Sequence, residues 1–137
     1  MEKADIYLFT SDFNEGWGAV LNESMNSGCA VVASHAIGSV PFLIKNGENG
    51  LIYENGNQKQ LEGKVELLLR DEEFRKKLAV NAYQSIVNVW SADVAAKRFI
   101  TLCNSLLKGE PVDTLFAEGP CSKATILKNS WISDSEA

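Results

Sequence analysis

The fold is decided by residues 4–34, which read ADIYLFTSDFNEGWGAVLNESMNSGCAVVAS. Residues 4–11 form a short, nearly continuous apolar run rich in β-forming side chains, typical of a strand covered on both faces of a parallel sheet. After a polar loop, residues 19–27 have apolar side chains at helical spacing and end at Gly28, a favourable helix-ending residue. Residues 29–34 are again a short apolar run. This stretch therefore predicts strand, helix and strand.

The same alternation continues downstream with a loop at residues 35–41, a short helix near residues 42–44, a turn at residues 46–50 and a third strand at residues 51–53. Three further helices are predicted at residues 58–70, 72–89 and 92–108, the last capped by Ser91. Its apolar stripe of Val94, Ala95, Phe99, Leu102 and Leu106 predicts packing against the sheet or other helices. The pattern indicates an α/β fold, a three-layer Rossmann-like parallel sheet with flanking helices.

Composition narrows the class of protein. The chain has 137 residues, 45% of them hydrophobic, and a net charge of -5, so it is long enough for one globular domain. No face rich in Lys and Arg is evident, which argues against nucleic acid as a partner. One histidine and three scattered cysteines argue against a zinc site. Without a signal peptide or an apolar run of membrane-spanning length, we expect a cytoplasmic protein with no transmembrane segment.

The stretch EGWGAVLNE at residues 15–23 carries the chemistry. The glutamate spacing alone is not informative, because residues 54/62 and 110/118 repeat it. Its position is informative, since ligands of parallel α/β sheets bind beyond the carboxyl ends of the strands. Gly16 and Gly18 would let backbone amides approach phosphate oxygens closely. Glu23 lies roughly 7.5 Å along the helix from Gly18, within reach of a ribose, and Glu15 could bind the hydroxyls of a sugar.

A wider pattern surrounds this stretch, in residues 24–34, 38–41, 46–51 and the Trp90-Ser91 step. Together these residues resemble the E-x7-E signature of retaining GT-B glycosyltransferases, most closely family four, over roughly residues 4 to 107. The sequence departs from that pattern at Phe42, where members commonly have Glu. The resemblance implies that the chain is the C-terminal, donor-binding half of a GT-B fold.

The resemblance also implies a donor site for a nucleotide-diphosphate sugar, made of Glu15, Gly16, Trp17, Gly18, Ala19, Glu23 and Gly38. Glu23 would bind the ribose, and Glu15 would contact the donor sugar as the catalytic residue. Amides of the Gly-rich loop would face the diphosphate, and Gly38 would line the base or phosphate pocket. Transfer would retain the anomeric configuration, with no metal and no cofactor beyond the donor, in polysaccharide or glycoconjugate synthesis.

The family pattern also predicts what this chain lacks. The acceptor-binding N-terminal domain and the basic residues that clamp the diphosphate lie upstream in the family, so we expect that domain as a partner in cis or trans and an inactive isolated chain. Residues 1–108 are predicted to be a partial nucleotide-sugar-binding domain. Residues 109–137 are predicted to be a packing arm or partly disordered. An open sheet edge beside residues 4–11 would be a site for self-association.

Several alternatives stay open at this point. Trp17 either stacks on a sugar or packs its loop against the core, the second being slightly favoured. His35 is either a pocket contact or an ordinary loop residue. The chain could also be a non-catalytic nucleotide-sugar-binding module of a split enzyme, or an α/β interaction domain without ligand. Against the last, a receiver domain needs an acidic cluster at strand ends and a flavodoxin needs a Ser/Thr-rich phosphate loop.

Overall fold

A computed structural model describes residues 3–124 and 126–132. Its centre is a parallel sheet of three strands, β1 (Ile6–Phe9), β2 (Ala30–Ser34) and β3 (Leu51–Tyr53). The strand order is β1-β2-β3, and the register pairs Ile6 with Ala30 and Val32 with Leu51. The predicted parallel α/β sheet with flanking helices is confirmed.

Strand β2 is the core of the sheet, and all five of its residues are buried. Alternate side chains serve two separate apolar clusters, because successive residues of a strand point to opposite faces. Val31 and Ala33 join the cluster that contains Leu21 of the first helix. Ala30 and Val32 join the cluster on the other face. The sheet is therefore covered on both faces, as the continuous apolar run predicted.

Strand β1 is an exception, and the prediction that residues 4–11 are covered on both faces is wrong. The strand spans four residues, and the Leu8 side chain is 43% exposed. In the described part of the chain β1 has β2 as its one strand neighbour, so β1 lies at an edge of the sheet. Whether this edge supports self-association stays a prediction.

The helices are α1 (Val20–Asn26), α2 (Val40–Leu43), α3 (Gln58–Arg70), α4 (Glu72–Ser85) and α5 (Ala92–Leu107), with a π-helical turn (Ile86–Trp90) between the last two. Side chains cap three of them, as their N-terminal residues favour: Asn57, Asp71 and the predicted Ser91 each accept a hydrogen bond from a first-turn amide. The single α-helix predicted at residues 72–89 is wrong at its end. The wider π turn buries Ile86 in the core while Trp90 contacts Trp17.

Helix α5 does not bury its apolar stripe as predicted. Phe99 is 59% exposed and Leu106 is 56% exposed. The rest of the stripe, Val94, Ala95 and Leu102, is partly buried, and α5 packs mainly on the π turn. None of the described helices combines the length and the apolarity needed to cross a bilayer.

The described residues beyond α5 form no helix or strand and lie against the rest of the chain. The Arg98 guanidinium donates to the Glu118 and Pro120 carbonyls, and it lies 4.9 Å from the centre of the Phe116 ring. Further on, the Trp131 indole N–H donates to the His35 carbonyl over 3.2 Å. These contacts hold residues 109–124 and 126–132 against the sheet domain. The rest of the predicted extension, residues 125 and 133–137, lies outside the described residues.

Candidate functional site

The loop after β1 lies at the carboxyl end of the sheet and leads into α1. Gly18 in this loop has a φ of +73°, a conformation that side-chain-bearing residues rarely adopt. A Cβ on Gly18 would lie 2.9 Å from the Phe9 ring. Gly16 has open space where its Cβ would be. Gly18 is therefore required by the loop's own packing, whereas nothing within the described chain requires Gly16 to be glycine.

Gly38, in the segment that follows the carboxyl end of β2, holds this loop in place through hydrogen bonds of the backbone. Its amide donates to the Gly16 carbonyl over 3.0 Å, and the Ser39 amide donates to the Trp17 carbonyl over 3.1 Å. A Cβ on Gly38 would lie 2.3 Å from the Gly16 oxygen, far inside van der Waals contact. Gly38 also borders a cavity of about 240 Å³ that it shares with Phe13. The structure thus shows Gly38 positioning the loop, and its predicted contact with a ligand remains a prediction.

The two glutamates of the motif act on the same tyrosine. Burial raises the pKa of the Tyr7 phenol, and the negative charges of Glu23 and Glu15 raise that pKa further. Glu15 is partly buried in the loop, and Glu23 is exposed on α1. Both carboxylates therefore lie within electrostatic range of Tyr7.

Three backbone amides stand between these carboxylates without a partner in the described chain. The amides of Trp17, Gly18 and Ala19 donate no hydrogen bond to any described residue. These three amides precede α1, with Ala19 at its N-cap, so they lie next to the positive end of the helix dipole. Amides in this arrangement can donate to anionic oxygens.

The Trp17 side chain is 44% exposed, so the expectation that it packs in the core is wrong. Its indole N–H donates to Asn22 Oδ1 over 3.0 Å. Its ring stacks on Phe42 with centroids 5.9 Å apart and meets Trp90 at the same distance. These three rings, which we call the aromatic cluster, leave part of their surface open to solvent.

His35 is a structural residue in this fold. Its Nδ1 accepts a hydrogen bond from the Asn55 amide over 2.9 Å, so the ring proton lies on Nε2. Nε2 lies 3.0 Å from the Asn129 carbonyl, to which it donates. Phe13 and Trp131 contact the ring at 5.5 and 6.1 Å. With both nitrogens engaged within the chain, His35 joins the C-terminal segment to the sheet.

The described residues contain no group of three or more His, Cys, Asp or Glu side chains placed to hold a metal ion. The proposed donor site has the two carboxylates of Glu15 and Glu23, one fewer than such a group needs. That the reaction needs no metal stays a prediction, and nucleotide binding in the presence of a chelator tests it.

Comparison with known proteins places this geometry in a family. The sequence profile described as "Glycosyl transferases group 1" matches residues 1–85. An N-acetylgalactosaminyltransferase of Campylobacter jejuni, which acts on N,N'-diacetylbacillosaminyl-diphospho-undecaprenol, is 32% identical over 108 residues, 79% of this chain and 28% of that protein. The capsular polysaccharide biosynthesis glycosyltransferase CapM of Staphylococcus aureus is 27% identical over 76% of this chain and 27% of its own length. The chain thus spans little more than a quarter of these relatives.

Solved structures agree with this assignment. The C-terminal domain of LpcC, a glycosyl transferase group 1 family protein from Francisella tularensis, is 34% identical with a TM-score of 0.59, covering 64% of this chain and 44% of that one. HepE from Anabaena, solved in complex with UDP, is 25% identical with a TM-score of 0.67, covering 75% of this chain and 28% of that one. The chain belongs to the group 1 glycosyltransferases and has the fold of their C-terminal GT-B domain.

Proposed function

We propose that this chain binds the nucleoside-diphosphate sugar donor of a glycosyltransferase at the loop between β1 and α1. The observation that carries the proposal is the set of partner-free amides at Trp17, Gly18 and Ala19, flanked by Glu15 and Glu23. Amides suit a diphosphate, and carboxylates suit sugar hydroxyls, so the arrangement matches both ends of such a donor. The similarity to HepE, solved with UDP and with UDP-glucose, supports this ligand class.

Within that site each group has one role. The amides of residues 17–19 donate to the diphosphate. Glu23, in the first turn of α1, accepts hydrogen bonds from the ribose hydroxyls. Glu15, at the other end of the loop, accepts hydrogen bonds from the hydroxyls of the transferred sugar. It is the residue of this chain to which we assign a catalytic role. Gly38 supports the loop and borders the base or phosphate pocket.

We further propose that the complete protein transfers the sugar with retention of configuration. The bond between the anomeric carbon and the diphosphate breaks, the acceptor oxygen bonds to the same face, and the acceptor proton passes to the leaving phosphate oxygen. Such a step depends on holding both substrates in one water-poor cleft. Since this chain spans 28% of a curated relative, the acceptor side belongs to the remainder of the protein, in cis or in trans.

The test of donor binding is a calorimetric titration of UDP and GDP against paired variants. Glu23→Gln removes a charged acceptor while keeping its shape, so it should weaken binding by about 1–3 kcal/mol. Glu54→Gln changes an exposed glutamate of the 54/62 pair, which has the same spacing, and it should leave the affinity for the nucleotide unchanged. Equal losses in both variants contradict the assignment. Binding that survives EDTA supports a metal-free site, and binding that is lost with EDTA and restored by Mg²⁺ contradicts it.

The isolated 137-residue chain should show no acceptor-dependent transfer when nucleotide sugars and acceptors are supplied together. Released nucleotide and glycosylated product are the quantities to measure. Robust turnover by the monomer would contradict the proposal that this chain binds the donor and another part of the protein binds the acceptor. A co-purifying acceptor domain would favour the split-enzyme alternative, and the absence of any thermal shift with nucleoside diphosphates would favour the ligand-free interaction domain.

A further inference from the structure

A second cavity lies beside the donor loop and uses none of the proposed donor residues. It measures about 220 Å³, and its walls include Phe42, Trp90, Gln84, Lys45 and Glu118. Pockets for drug-sized ligands occupy roughly 300–1,000 Å³. This cavity is therefore of a size for one ring and is too small for a whole nucleotide sugar.

One wall of the cavity is aromatic. Phe42 is 39% exposed and stacks on Trp17, which in turn contacts Trp90. The π-helical turn that ends at Trp90 also brings Val89 to the wall. Such turns are rare and occur often at functional sites. A partly exposed aromatic face of this kind can pack against the C–H face of a sugar ring.

Most of the other lining residues are polar, and Asn49 among them is held in place by hydrogen bonds. The buried Asn49 side chain donates to the Leu43 carbonyl over 3.0 Å and to Ser85 Oγ over 3.3 Å, and accepts from the Lys45 amide over 2.7 Å. Its hydrogen-bonding capacity is thus used within the fold. Gln84 differs, because its side chain makes no hydrogen bond with any described residue. The Gln84 amide can therefore donate to one hydroxyl and accept from another.

Charge decides between a phosphate and a neutral ligand. Lys45 supplies the positive charge in the described wall, and its Nζ lies 3.0 Å from Glu118 Oε2. Glu48 adds a second carboxylate to the same wall. An anionic ligand would thus meet more negative than positive charge, whereas a neutral polyhydroxyl ring meets hydrogen-bonding groups without that repulsion.

We propose that this cavity binds one neutral sugar ring, packed on Phe42 and hydrogen-bonded by Gln84, as a sugar subsite separate from Glu15. The proposal deepens the proposed function, since it places a saccharide beside the donor loop. It requires no occupancy of the donor site. The two can therefore fail independently.

The experiment is saturation-transfer NMR on the full chain with methyl α-D-glucopyranoside, methyl α-D-galactopyranoside and methyl 2-acetamido-2-deoxy-α-D-glucopyranoside. At least one glycoside should receive saturation from the wild-type protein, with transfer at least about threefold weaker in Phe42→Ala and in Gln84→Ala. Tyr83→Ala is the matched control, because Tyr83 is an exposed aromatic residue beside Gln84 outside the cavity. The saturation transfer to the glycoside in Tyr83→Ala should equal that in the wild-type protein. Adding UDP to the wild-type protein should leave this transfer unchanged.

The three tryptophans give a second measurement that does not depend on a variant's stability. The indole N–H resonance of Trp90, which lines the cavity, should shift with the glycoside, while that of Trp131 stays fixed. Overturning results are no transfer to any glycoside, equal transfer in Gln84→Ala, or displacement by UDP. Nucleotide titration of the same samples reports separately on the donor site, so a wild-type protein that binds UDP but gives no transfer to any glycoside refutes this inference alone.

Discussion

The sheet region, residues 3–57, and the helical region, from residue 58 onward, differ in how far they bury large apolar side chains. In the sheet region Val31 and Val32 are fully buried, and the site loop is fixed by backbone hydrogen bonds from Gly38 and Ser39. In the helical region large apolar side chains stay open to solvent: Leu69 is 65%, Phe99 59% and Leu107 86% exposed. The sheet region buries most of its apolar side chains and exposes them mainly at the edge strand and around the site loop, whereas the helical region exposes several of its largest ones.

Apart from Leu68, Leu78 and Ile86, which are buried against the sheet, the helical region is held largely by local contacts. Side-chain caps begin α3, α4 and α5, and ion pairs one turn apart, such as Lys97 with Asp93, lie along their exposed faces. Exposed pairs of this type contribute little stability. We infer from this difference that the contacts that stabilise the fold lie mainly around β2. The same elements hold the candidate donor loop in place.

The largest expected effect tests that concentration directly. Leu21 of α1 is fully buried against the sheet, so Leu21→Ala should lower the free energy of unfolding by about 2–5 kcal/mol. Phe99→Ala on α5 removes a larger but mostly exposed side chain and should change it by less than about 0.5 kcal/mol. Urea denaturation of both variants measures this. Similar losses would mean that α5 is covered in solution and would break the comparison.

A smaller effect separates the two regions by their glycines. Gly38→Ala forces a methyl group onto the Gly16 carbonyl and should destabilise the chain by about 1–3 kcal/mol while weakening nucleotide binding. Gly63→Ala within α3 meets nothing within 4 Å and should stabilise it by about 0.5–1 kcal/mol. Thermal and urea unfolding measure both. A tolerated Gly38→Ala would show that the loop moves away from its position here.

The smallest effect concerns the donor sugar. If Glu15 contacts the sugar, Glu15→Gln should weaken UDP-glucose by about 0.5–1.5 kcal/mol more than it weakens UDP. Calorimetric titration of the two ligands gives the difference, with Glu54→Gln as the unaffected control. An identical change for both ligands would remove Glu15 from the sugar site and leave it a loop residue.

Much of the fold was predictable because its signals are local. Strand β3 and helix α3 have the predicted bounds, and Ser91 caps α5 as expected. Short apolar runs, capping side chains and turn residues act within a few positions along the chain. The candidate loop could be placed for the same reason, since Glu15 and Glu23 flank a strand-to-helix junction that the sequence marks by itself. Their roles remain predictions.

Tertiary structure alone decided what lies far apart in sequence. The sequence by itself determined the order of strands and helices, the parallel sheet and the position of the site loop. It did not determine that Leu8 of β1 stays exposed, that Gly38 closes on Gly16, or that His35 binds the Asn129 carbonyl. Each depends on which elements meet, and helical or strand periodicity specifies an apolar face without specifying whether anything covers it.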